Sequence, residues 1–179
     1  MKRIHLPLLA FTTLVLAVST HAGVKVTSSA EPVEKIVAFK AANGYVTIVT
    51  GGFLTVGGEK IGSKQVFTII DMSGGNLADG DTVRIRYTPH SATSDQSKSS
   101  YWAETSDGIK RNSDGSSFKL KVVDGKYAFV APSGKFLSYT ANTFVFSEKQ
   151  ADALFVEVVD ATNALNKGKK PTAEKTPTE

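Results

Sequence analysis

An all-β domain is the fold class this sequence predicts, on three observations. Between residues 35 and 166 apolar and polar residues alternate at period two. Val, Ile, Phe, Thr and Tyr are frequent there, and glycines punctuate the pattern at short intervals. No stretch of this region sustains a helical period with caps, so almost no helix is expected.

The strands recur in three units, each with the same order. Each unit opens on an apolar strand: Ile36-Val37-Ala38-Phe39, Thr82-Val83-Arg84-Ile85, Lys126-Tyr127-Ala128-Phe129. A second strand follows as Gly44-Tyr45-Val46-Thr47, Ser100-Tyr101-Trp102-Ala103 and Lys135-Phe136-Leu137-Ser138. Next comes a threonine, Thr50, Thr105 or Thr140, and four positions later an apolar residue, Leu54, Ile109 or Phe144, marks the third strand. The units close on Val66 to Asp71, Ser117 to Val122 and Leu154 to Val159, each carrying a phenylalanine at its second position: Phe67, Phe118, Phe155. Asp71, Asp124 and Asp160 stand at the unit ends, where a carboxylate accepts hydrogen bonds from the backbone of the following turn.

Three units of four strands predict a β-trefoil, with six strands closing a barrel and six capping one end. No single unit buries its own apolar face, so the units must pack together. Closure also removes free strand edges. A β-sandwich would show the same alternation but would not predict the threefold closing phenylalanine. The domain is expected to span residues 35–162.

The unit pattern resembles the fascin-like β-trefoil. The residues that carry it are Val37 to Phe39, Asn43 to Val46 and Phe67 to Ile69 in the first unit. In the third they are Tyr127 to Phe129, Ser133 to Leu137 and Phe155 to Val158. The middle unit departs from it, since Ser99-Ser100-Tyr101-Trp102 lacks the glycine. The resemblance implies a fold rather than an activity: fascin-like proteins that bundle actin use several trefoils in tandem, and one is expected here. The Gln-x-Trp of ricin-type lectin trefoils is absent, the sole tryptophan being Trp102.

Both ends read differently. Lys2 and Arg3 precede an apolar run from Leu6 to Val18, followed by Ser19-Thr20-His21-Ala22, which predicts a signal peptide over residues 1–22 cleaved near Ala22. Pro7 and Thr12-Thr13 interrupt the run, which is shorter than the roughly 20 apolar residues a membrane span needs. No integral membrane association is expected, and the protein is predicted to be secreted or periplasmic. Residues 23–34 read as an N-terminal extension and 163–179 as a flexible Lys/Thr/Pro-rich tail. Of the net charge of +4, Lys2 and Arg3 supply two and the tail two more, leaving residues 23–166 formally neutral. Nucleic acid is therefore not an expected partner.

The chain contains no cysteine, and His90 is the one histidine left after cleavage, so no cysteine nucleophile or clustered histidine metal site is available. No cofactor and no enzyme activity are expected. Glu104 and Asp107, near Trp102, are the thin basis for an alternative carboxylate-dependent hydrolase. The glycine pairs Gly51-Gly52, Gly57-Gly58 and Gly74-Gly75 lack the lysine of a phosphate loop and read as turns.

The middle unit carries an insertion from Tyr87 to Ser100 that folding does not require, which makes it the first place to look for recognition. Tyr87, His90, Lys98, Tyr101, Trp102 and Tyr139 are the candidate ligand contacts. Trp102 also aligns with Val46 and Leu137, which implies a core position for it. Lys110 and Arg111 add charge to the same unit. The expected function is non-catalytic recognition of a glycan or an extracellular protein through loops, with a secreted hydrolase inhibitor as the alternative.

Overall fold

The computed structural model describes residues 31–87 and 99–166. The expected signal peptide, His90, Lys98, most of the insertion and the end of the expected tail lie outside the described residues. Among the described residues twelve strands form an antiparallel sheet system: β1 (Val33–Ala41), β2 (Gly44–Ile48), β3 (Leu54–Val56), β4 (Phe67–Asp71), β5 (Thr82–Tyr87), β6 (Ser100–Thr105), β7 (Gly108–Asn112), β8 (Phe118–Val123), β9 (Lys126–Val130), β10 (Phe136–Thr140), β11 (Thr143–Ser147) and β12 (Glu157–Asp160). The α-helix α1 (Thr162–Asn166) is a single short turn, so the all-β expectation holds.

Six strands pair in a ring, β1 with β4, β4 with β5, β5 with β8, β8 with β9, and β12 back onto β1. The gap between β9 and β12 is bridged at Tyr127 and Val156, which exchange two backbone hydrogen bonds of 2.9 Å. The remaining strands form three hairpins, β2–β3, β6–β7 and β10–β11, each hung on a ring strand. Period-two alternation explains the ring: Val37, Phe39, Val83 and Ile85 point inward, while Lys40, Arg84 and Arg86 face out.

The core repeats as the strands do. Phe39, Ile85 and Phe129 from the first strands, Val46, Trp102 and Leu137 from the second, and Leu54, Ile109 and Phe144 from the third are all buried in one cluster. The closing strands contribute Phe67, Phe118 and Val156. The third member corrects the sequence register, because Phe155 is only half-buried and Val156 takes the inward position. Val156 stands four residues before Asp160, as Phe67 does before Asp71, and the bridge to Tyr127 pins that register.

The unit-end aspartates divide. Asp71 Oδ1 accepts from the Ser73 N–H at 2.8 Å and Asp160 Oδ1 from the Thr162 N–H at 2.8 Å, closing turns two residues on. Asp124 instead occupies the β8–β9 turn itself with φ of 50°. At the domain's start, β1 begins at Val33, which pairs with Asp71, two residues before the expected boundary.

Candidate ligand-binding surface

The structure separates the candidate contacts. Trp102 is fully buried, its ring 5.3 Å from Phe39, 5.4 Å from Phe67 and 5.7 Å from Phe129. A residue walled in by three phenylalanines is a packing centre and not a ligand contact, which corrects its place among the candidates. The alignment with Val46 and Leu137 is upheld, yet the acceptor its buried indole N–H calls for is missing among the described residues.

Tyr139 is also tied down. Its hydroxyl bonds with Thr55 Oγ1 at 2.8 Å and packs its ring 5.0 Å from Phe144, joining the third hairpin to the first. Tyr101 lies on the outer wall under Arg84, whose guanidinium is 4.4 Å from the ring centroid. Both rings are half-buried. These partners hold the rings of Tyr101 and Tyr139 in place, and Tyr139 lines a surface cleft of about 630 Å³ with Thr140, Val145 and Phe146.

Tyr87 fares differently. It ends β5 opposite Ser100, so the insertion leaves and returns at this pair. The Arg111 guanidinium lies over its ring, 4.9 Å from the centroid. Arg111 stands opposite Trp102 in the β6–β7 hairpin, and its guanidinium reaches the first unit. There its Nε donates to the Gly52 carbonyl at 3.2 Å and its Nη1 to Ser100 Oγ at 3.2 Å. No carboxylate pairs with it among the described residues.

Directly after Gly52 in the chain stands an aromatic the sequence reading missed. Phe53 is 54% exposed, and Val49 in the same turn is 38% exposed. Of the three large apolar side chains exposed among the described residues, the other being Met72, two therefore share one turn. The Val49 N–H donates to the Phe53 carbonyl at 2.9 Å, and Gly51 and Gly52 take φ of 82° and 83° between them. The signal was an aromatic directly after a Gly-Gly turn, ahead of the Leu54 core position, with no partner strand to cover it.

The two carboxylates of the hydrolase alternative are occupied. Glu104 accepts from the backbone N–H of Ser133 at 3.2 Å and from the Ser133 hydroxyl, which staples the second unit to the third. Asp107 is paired with Lys110 at 3.1 Å, and that hydrogen bond, with one from Ser106, holds its carboxyl below the usual range. A general acid needs a raised pKa, so the shift runs against that role. The two line a shallow cleft of about 530 Å³ with Ser133, Lys135 and Phe146.

A second cleft of about 650 Å³ opens where β1 and β9 begin and β12 ends, over Ile36, Val37, Leu77 and Val158. Its rim is self-satisfied: Lys35 Nζ donates to the Gly75 carbonyl at 3.0 Å, and Glu34 forms a two-bond pair with Arg86. Among the described residues no group of three or more His, Cys, Asp or Glu side chains is placed to hold a metal, and no helix is long and apolar enough to cross a membrane.

The fold and this surface define an all-β protein with an exposed aromatic-cationic turn. Among solved structures the chain is similar to SeviL, solved bound to the asialo-GM1 saccharide, with a TM-score of 0.51 and 11% identity. The match covers 72% of this chain and 99% of SeviL, so the β-rich fold is shared over nearly all of that protein. No protein-family model and no curated protein matches the chain.

Proposed function

We propose that the chain is a single β-trefoil that binds a glycan without catalysing a reaction. The likeness to saccharide-bound SeviL carries this reading. The trefoil is supported by the ring of six strands with three hairpins, and by a core in which each strand type contributes one residue per unit. The fascin-like resemblance belongs to the same proposal and rests on that recurrence. The non-catalytic reading is supported by the engagement of Glu104 with Ser133 and of Asp107 with Lys110.

The ligand surface is the corner where Phe53, Arg111 and Tyr87 meet at the base of the insertion. An exposed ring offers a flat apolar face for the C–H side of a sugar, and a guanidinium offers a fork of donors for its oxygens. The proposal includes export, supported by the basic start, the apolar run and the Ser19-Thr20-His21-Ala22 segment that read as a signal peptide cleaved near Ala22.

A glycan array probed with the mature chain tests the function. Binding to a defined glycan set, lost in Phe53→Ala, is the expected result, and a blank array for well-folded protein overturns it. Capture of one serum protein on a blank array moves the ligand class from glycan to protein. N-terminal sequencing of exported protein reads the cleavage site directly.

A further inference from the structure

We propose that Arg111 makes the turn a subsite for an acidic sugar, one bearing a carboxylate or a sulfate; this rests on the glycan-binding reading above. The chemistry begins with the donors of the guanidinium. Five N–H groups are available to an arginine, and here Nε and Nη1 are engaged by Gly52 and Ser100. No protein acceptor engages Nη2 among the described residues, and no carboxylate neutralises the charge.

The engaged bonds act as a mount. They fix the guanidinium plane over the Tyr87 ring, so the remaining donors are oriented before a ligand arrives. Gly52 keeps the approach open: a Cβ at that position would stand 3.0 Å from Nη2. Its φ of 83° also favours glycine over any other residue. The Phe53 ring folds back over Gly51, where an added Cβ would meet it at 3.2 Å, so ring and cation flank the same two-glycine turn.

A half-buried arginine with three N–H donors left unengaged by the described residues suits the oxygens of a carboxylate or a sulfate ester, which it binds by charge-assisted hydrogen bonds. An exposed phenylalanine beside it suits a pyranose face. A neutral sugar would use the ring but leave the charge unpaired. A free anion would find the charge but not the ring.

The test compares three probes on immobilised mature protein: a hexuronate-terminated disaccharide, its carboxyl-reduced neutral counterpart, and the same neutral disaccharide carrying a sulfate ester. Wild type is expected to prefer the acidic probes by about ten- to a hundredfold. Arg111→Gln is expected to erase that preference, bringing acidic and neutral probes to the same level, and Phe53→Ala is expected to weaken all three. A salt titration needs no variant: going from low to high sodium chloride weakens acidic binding and leaves neutral binding unchanged. Preference for the uronate over the sulfate, or the reverse, names the anion. Equal binding of acidic and neutral probes by wild type, or a preference that survives Arg111→Gln, overturns the acidic subsite and leaves glycan binding standing. Failure of all three probes and of the array overturns both.

Discussion

Replacing Trp102 by phenylalanine separates a packing role from a recognition role. The indole is fully buried among Phe39, Phe67 and Phe129, and its N–H has no acceptor among the described residues. Phenylalanine is roughly 40 Å³ smaller, which at about 24 cal/mol per Å³ of void destabilises by about 1 kcal/mol. The substitution also removes a buried unpaired donor, whose desolvation costs about 1–3 kcal/mol. The two terms oppose each other, so Trp102→Phe is expected to lie between neutral and about 2 kcal/mol more stable than wild type, whereas Trp102→Ala should destabilise by about 3–5 kcal/mol. Urea unfolding followed by circular dichroism measures both, since the variants lack the fluorophore. In wild type, the same burial predicts blue-shifted emission that does not move on glycan titration. A loss above about 3 kcal/mol in Trp102→Phe would refute the unpaired N–H. An emission shift on ligand binding with unchanged stability would return Trp102 to the binding surface.

Two further expectations concern other parts of the domain. Gly108 has φ of 113°, and a Cβ there would stand 2.0 Å from the Phe144 carbonyl oxygen, so Gly108→Ala must push β7 away from β11. A destabilisation of about 3 kcal/mol or more is expected in urea unfolding, against about 1 kcal/mol for Gly125→Ala, where φ is positive but the space is open. Asp79 is held below the usual carboxylate range, first by the Val122 N–H and then by Lys121. A lowered folded pKa contributes stability that is present above the unfolded value near 3.9 and is lost as pH falls through the folded value. The acid limb of a stability–pH curve should therefore be shallower in Asp79→Asn than in wild type, and parallel limbs would count against this assignment.

Much of the fold was legible because the repeat reports the core. A strand buried on one side must present an apolar residue at every second position, and a threefold arrangement must do so at the same place in each unit. Alignment of Val46, Trp102 and Leu137 therefore located three buried residues without any structure. The same logic slipped by one residue at Phe155, where two adjacent large apolar residues both fit the pattern. Only the Tyr127–Val156 bridge decides which faces inward. Glu104 and Tyr139 were illegible for another reason. Their partners, Ser133 and Thr55, are 29 and 84 residues away in sequence, so no local pattern records the contacts.

The candidate surface lies where the threefold pattern breaks, and the breaks coincide. Symmetry-related positions in the three units serve the core, so a residue that departs from its equivalents is released from packing. Phe53 is such a residue: it precedes the core position Leu54, whereas the residues preceding Ile109 and Phe144 are Gly108 and Thr143. Arg111 is another, followed along its hairpin by no matching cation in the other two. The insertion is the third, entering at Tyr87 and returning at Ser100. Ser100 Oγ accepts from Arg111, Arg111 donates to the Gly52 carbonyl, and Phe53 follows Gly52 in the chain. Three independent departures thus converge on one corner between the first and second units. Packing gives no reason for that convergence, since each departure exposes apolar surface, leaves a cation without a carboxylate partner among the described residues or lengthens a loop. Under the glycan-binding proposal a shared ligand gives one, and that proposal puts specificity in the first two units, with the third serving to close the ring.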